Sequence, residues 1–178
     1  MDRTASVTKS LSPLKQWPGA DIEAVLDAAF GSDRHLRTAY RIRQRMTWLP
    51  DYSYAIADDT DKLLAVLQSW PVALHGDDGL MTPLIMVGPV AVLPAHQGEG
   101  LGRLMMDRLI ADAEATAQEH LMMIGDPEYY GRFWGFHADD TGGWRTPGPV
   151  DSRRLLMRRT ARLDPLPALD GMLGPRPA

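Results

Sequence analysis

The chain of 178 residues has no cysteine. That excludes disulfides, thiolate metal sites and a cysteine nucleophile, and it fits a cytoplasmic protein. Long apolar runs are missing too. A membrane span needs roughly 18 apolar residues, and the longest candidate, Leu84 to Leu93, is interrupted by Gly88 and Pro89. No apolar stretch follows Met1-Asp2-Arg3-Thr4, so no secretory leader is expected. There is no basic surplus. The formal net charge is −4, and broad nucleic-acid binding needs a basic face. The one basic cluster, Arg153, Arg154, Arg158 and Arg159, brackets Leu155-Leu156-Met157 and reads as a late strand with solvated flanks. The histidines at 35, 75, 96, 120 and 137 lack metal-ligand spacing, so no metal is expected. Neither a Gly-Lys-Ser/Thr phosphate loop nor a Gly-x-Ser-x-Gly elbow occurs.

What remains is ordinary globular composition, 44% hydrophobic and 24% charged, in a chain long enough for one real core. Residues 1–163 read as one domain, and the proline-rich residues 164–178 as a loosely ordered tail. A weak strand is expected from Val7 to Leu14. A helix follows from Asp21, its cap, to Phe30, with Ile22, Val25, Leu26 and Ala29 on one face and Gly31 as its stop. A second helical stretch, rich in arginine, spans about Asp33 to Arg45, with one side exposed. Tyr52–Ala57, Leu63–Leu74 and Leu80–Leu93 then read as three antiparallel strands, joined at Asp58–Asp61 and Gly76–Gly79. Pro83 and Pro89 predict a break or bulge in the third.

After that strand come Pro94 and the run Gln97-Gly98-Glu99-Gly100-Leu101-Gly102-Arg103, which opens a helix to about Gln118. Leu101, Leu104, Met105, Leu109 and Ala113 form its apolar face, and Arg103–Asp107 and Arg108–Asp112 are spaced as ion pairs. Leu121–Gly125 is a buried strand, parallel to the one before the helix because a crossover joins them. A short helix spans Pro127 to Trp134, Gly135-Phe136-His137 starts another strand, and Arg153–Thr160 is the last. A glycine loop opening a helix presents bare N–H groups at the positive end of the helix dipole and so binds phosphates. Arg103 stands where a dinucleotide fingerprint needs glycine. A purely structural turn and a loop for another phosphate ligand stay open.

The order Val-x-Pro, Gln97, spaced glycines and amphipathic helix resembles motif A of the GCN5-related N-acetyltransferase (GNAT) family. Gly125-Asp126-Pro127-Glu128-Tyr129-Tyr130-Gly131-Arg132-Phe133-Trp134-Gly135-Phe136 resembles its motif B, most closely in a bacterial subgroup of predicted acetyltransferases. Motif-level matches run from about residue 85 to 136, within a broader likeness from about 7 to 160. The resemblance implies an α/β fold: a mixed, largely antiparallel sheet of about six or seven strands flanked by about four helices, with a splayed parallel strand pair. It implies acetyl-CoA as co-substrate. Val90, Ala91 and Val92 would pair with its pantetheine arm. Gln97, Gly98, Glu99, Gly100, Leu101 and Gly102 would cradle its pyrophosphate, with Arg103 as an auxiliary cation. An N–H near Val92 would face the developing oxyanion. Tyr130 would be the general acid toward the departing thiolate. Trp134 is an extra residue before Gly135-Phe136, so Tyr129 stays a rival. The implied reaction is direct acetyl transfer to a primary amine, on a small molecule or a protein, with no nucleic-acid or membrane partner. A homodimer and a non-catalytic acyl-CoA sensor are the open alternatives of assembly and function. Neither Glu128 nor His96 is nominated as general base. An acidic rim from Asp58, Asp59, Asp61, Asp77, Asp78, Asp139 and Asp140 would suit a cationic acceptor.

Overall fold

The long apolar run after the first hairpin turn becomes the spine of the sheet. In the computed structural model, which describes residues 8–177, β3 (Leu63–Gly76) carries partners along both edges. On one edge it pairs antiparallel with β4 (Met81–Val92). The other edge is shared. Its first half pairs with β2 (Tyr54–Ala57), which in turn pairs with β1 (Ser10–Pro13). Its second half, Val72–Gly76, pairs with a strand from the chain's end, described below. The three-strand meander is therefore present. The first strand is shorter than its sequence suggested, and Val7 lies outside the described residues.

Among the described residues the sheet has eight strands, mostly antiparallel, and four α-helices accompany it. Helix α1 (Gly19–Phe30) starts two residues before the expected Asp21. Pro18 is its N-cap, and Asp21 lies in the first turn without capping it. Ile22, Val25 and Leu26 recur at helical spacing and are buried against Val66 and Ala91 on one face of the sheet. Gly31 ends the helix as expected, its N–H donating to Asp27.

The arginine-rich stretch is not one helix. It divides into a 3₁₀ turn (Ser32–Leu36) and the short α2 (Thr38–Ile42), and Arg34, Thr38, Ile42 and Arg43 are buried. One side is exposed as the pattern suggested, with Arg37, Arg41 and Arg45 in solvent, while the Arg34 and Arg43 guanidiniums find partners inward.

Helix α3 (Leu101–Thr116) covers the opposite face. Met105, Leu109 and Ala113 lie at steps of four and are at most 2% exposed, but Leu104 is 48% exposed and Met106 takes its place in the core. Of the two expected ion pairs, Arg108–Asp112 forms at 2.8 Å. Arg103 instead lies over the Phe133 ring, and Asp107 accepts from the Trp134 indole. β5 (His120–Ile124) runs parallel to β4 as the crossover required. α4 (Pro127–Trp134) matches its sequence bounds because its ends are chemically marked: Asp126 accepts from the Glu128 N–H, Pro127 occupies the first turn, and Gly135 closes in the left-handed conformation. Residues 135–137 form no strand; His137 makes a single bridge to Met157. A two-residue β6 (Trp144–Arg145) precedes β7 (Leu155–Arg158), which pairs with β5. Arg158 is not a solvated flank. It pairs with Glu114 of α3 at 2.5 Å and donates to the Trp134 carbonyl.

The tail was expected to be loose, but it supplies β8 (Gly171–Pro175), which pairs with β3 and β6. Leu173 is 1% exposed and packs with Val72, Leu74 and Trp144. Leu173→Ala is therefore expected to cost about 2–5 kcal/mol of stability, read as a lower urea midpoint. An unchanged midpoint would mean β8 adds nothing to the fold. Among the described residues no helix is long and apolar enough to cross a membrane.

Candidate active site

β4 and β5 pair only at Leu84–Met86 against His120–Met122. Beyond that point they part. The proline-bearing strand bulges there as its sequence suggested: Leu67 faces Val90 and Ser69 faces Val87, so Gly88 and Pro89 together oppose the single residue Gln68. Toward β3, Val90, Ala91 and Val92 keep regular partners. Among the described residues no strand lies against their other edge. An open strand edge of this kind accepts an extended ligand by backbone hydrogen bonding.

At the far end of that edge lies the glycine loop. Gln97 through Gly100 are exposed, and Gly98 and Gly100 have φ of +82° and +79°, the left-handed region that glycine adopts without cost. Gly100 is the N-cap of α3 and offers no side chain to the first turn. The N–H groups of Gly98 through Arg103 have no acceptor among the described residues. A helix opening with unpaired N–H groups and a left-handed glycine at its cap has the chemistry of an anion cradle. Gly102, in the first turn, packs toward Val90 and Val92 and keeps helix and strand close. Glu99 is the one discordant residue, a carboxylate in the loop. The Lys9 ammonium pairs with it, His96 approaches at 3.3 Å, and the two hold its carboxyl below the usual range.

Between the parted strands is a cavity of about 880 Å³. Its floor is Met86–Val90 and Met123–Asp126, and one wall comes from residues 30–43 and 149–154. Tyr130 lines it and Tyr129 does not. Tyr130 is held against Gly125: a Cβ on Gly125 would lie 2.8 and 2.9 Å from two of its ring carbons, so only glycine allows this approach. Trp134, the extra residue, is absorbed at the end of α4. It is buried, and the chain closes around it with the Phe136 N–H reaching back to the Tyr130 carbonyl. Burial pushes the Tyr130 phenol up to about 12, helped by Tyr129 and by the nearby Asp126. A phenol so placed stays protonated at neutral pH.

The sequence did not single out Arg34, Tyr40, Arg43 or Arg154 for this cavity, yet all four line it. Arg34 is saturated. Burial lowers its pKa, but bonds to Asp27 (2.8 Å), Tyr40 and Glu23 outweigh that and raise it. Arg43 lies over the rings of Tyr40 and Trp70, its Cζ 4.1 and 4.4 Å from their centroids. The available signal was an arginine-rich stretch almost without carboxylates at helical spacing. The expected acidic rim is not at the site. None of its seven aspartates lines the cavity. Asp58 and Asp78 accept from backbone N–H groups of their own turns, and Asp77 pairs with Arg145. Among the described residues no group of three His, Asp or Glu could hold a metal ion.

An eight-stranded sheet with a parted parallel pair, and a glycine-loop helix beside the gap, define an acyltransferase-type architecture. The chain belongs to the acetyltransferase (GNAT) domain family, whose pattern it matches over residues 17–137. No curated protein matches it in sequence. Among solved structures it is similar to the GNAT family N-acetyltransferase YhbS of Escherichia coli, determined in complex with CoA, at 20% identity over 99% of this chain and 93% of that one, with a TM-score of 0.70. A GNAT family acetyltransferase of Brucella melitensis, determined with acetyl-CoA, is 24% identical over 92% of this chain and 94% of that one, with a TM-score of 0.61. At these identities the likeness shows the shared fold.

Proposed function

We propose that the protein is an acetyl-CoA-dependent N-acetyltransferase that passes the acetyl group directly to a primary amine. The observation that carries this reading is the run of unpaired N–H groups from Gly98 to Arg103, placed at the end of the open edge of β4 that leads to Tyr130. The two similar structures named above hold CoA and acetyl-CoA, which supports the choice of ligand. The residues fit the group. The N–H groups of Gly98 through Arg103 suit the pyrophosphate, whereas the Gln97 N–H, expected to join them, donates to the Pro94 carbonyl; the free edge of Val90–Val92 suits the pantetheine arm. Arg103 is the auxiliary cation. Its guanidinium is stacked on Phe133 beside the loop.

In the reaction the neutral amine nitrogen bonds to the acetyl carbon. A backbone N–H near Val92 stabilises the charge that builds on the carbonyl oxygen. The carbon–sulfur bond breaks, Tyr130 gives its proton to the departing sulfur, the nitrogen loses its extra proton to solvent, and the Tyr130 phenolate recovers a proton from solvent. Products are the acetamide and the free thiol. No covalent enzyme intermediate is needed, and the chain has no cysteine to form one.

The reading is tested by thiol release from acetyl-CoA across a panel of amines. One consequence concerns Gly125. Gly125→Ala forces the Tyr130 ring away from its seat. Turnover is expected to fall roughly 10- to 100-fold through misplacement of the acid, with acetyl-CoA affinity within about twofold of wild type. Unchanged turnover would remove Tyr130 from the acid's role or show that the ring has room elsewhere, which the Tyr130 substitution discussed below separates.

A further inference from the structure

Resting on the acetyltransferase reading, we propose that the acceptor amine carries an acidic group, of carboxylate type, that docks between Arg43 and Arg154. The cavity wall is strongly biased in charge. Among the described residues it holds five arginines against two aspartates, with no lysine and no glutamate. Both aspartates are engaged: Asp126 caps α4, and Asp151 pairs with Arg153 at 3.0 Å. Arg34 is neutralised by Glu23 and Asp27. Arg37 and Arg41 are exposed and reach the carbonyls of Phe30 and Pro147. Like Arg37 and Arg41, Arg43 and Arg154 have no carboxylate partner among the described residues, and they are the two that bond to the backbone bordering the gap.

Arg43 is the more telling of the two. It is 4% exposed, and a buried guanidinium without an anion is costly. The Tyr40 and Trp70 faces offset part of that cost. Burial still pulls its pKa down to about 10. Among the described residues, one of its five donors meets an acceptor: Nη1 bonds to the Gly88 carbonyl at 2.9 Å. The planar fork matches a carboxylate edge to edge. Arg154 donates from Nε to the Gly125 carbonyl at 3.4 Å. Gly88 is in the bulge of β4, and Gly125 follows the end of β5. The two cations therefore stand on opposite lips of the gap where the strands part. An acid held between them shares the cavity with Tyr130, while an acceptor bearing several positive charges is repelled.

The test uses the whole protein and compares amino acids with their carboxamides and with the matching decarboxylated amines. The expected result is a kcat/KM at least about tenfold higher for the acids, as charged hydrogen bonds imply. Arg154→Gln should erase most of that preference through KM, and Arg154→Lys should restore part of it, both with acetyl-CoA affinity within about twofold of wild type. Arg154 is exposed, so these variants should fold. A second measurement needs no turnover: on CoA-saturated protein, N-acetylglycine should bind at least about tenfold more tightly than N-acetylglycinamide, which has no carboxylate. Equal binding of that pair overturns the proposal, as does equal or better acetylation of the neutral and cationic amines. Failure of the wild-type protein to bind acetyl-CoA would instead contradict the reading on which the proposal rests.

Discussion

Phenylalanine in place of Tyr130 is expected to lower turnover by roughly 10²- to 10⁴-fold, the usual worth of a positioned general acid. The dissociation constant for acetyl-CoA should stay within about twofold. The phenol sits in the cavity wall, and no hydrogen bond to it is recorded among the described residues, so its loss costs the fold little. Its pKa of about 12 sets the pH behaviour. Burial favours the neutral form, so the proton is present below that value and is lost only as pH rises through it. Turnover should therefore rise as the amine deprotonates and show no alkaline fall up to pH about 10, whereas an ordinary exposed tyrosine would begin to fail there. Tyr129 is the control. It is 38% exposed and does not line the cavity, so Tyr129→Phe should leave turnover near wild type. If the two variants exchange behaviours, the acid is Tyr129. If wild type binds acetyl-CoA but turns over no amine, the chain is a sensor.

The second large effect is expected at the loop. Gly100→Asp places a carboxylate where the pyrophosphate would lie. Coulomb repulsion at about 4 Å amounts to roughly 1–4 kcal/mol between water and a protein-surface dielectric, and the side chain also blocks close approach. Acetyl-CoA affinity should fall by about 100-fold or more. A Cβ at this position meets nothing within 4 Å, so the overall fold has room for it. The φ of +79° is strained for other residues but least so for Asp and Asn. Gly100→Asn therefore isolates the backbone cost, and its loss of affinity should be much smaller. Equal losses would mean that loop shape, rather than charge, governs binding.

These two sites lie in the part of the chain that was most legible. The glycine loop, the crossover to β5 and the bounds of α4 are marked by local chemistry: left-handed glycines, Asp126 as a cap, Pro127 in a first turn, Gly135 as a stop. The bulge in β4 was legible from Pro89, which has no N–H to give to a ladder. The acceptor side was not. Arg34 is buried because Glu23 and Asp27, from a different helix, meet it, and Arg43 because Trp70 of β3 and Tyr40 cover it. Such pairings are tertiary, and no spacing within residues 33–45 announces them. β8 was hidden for a similar reason. Gly171–Pro175 has little strand character of its own and is extended because half of one β3 edge is vacant for it. Leu104 shows the converse: it was placed inward with the steps of three and four, but the buried stripe follows Leu101, Met105, Leu109 and Ala113 at steps of four, which leaves Leu104 exposed and brings Met106 into the core.

The most direct test of the central claim is a calorimetric titration of acetyl-CoA into the purified protein, beside Gly100→Asp with its folding verified. The account predicts saturable one-to-one binding to wild type and its loss in the variant. A folded wild-type protein that takes up no acetyl-CoA, or a variant that binds it as well as wild type, would contradict it.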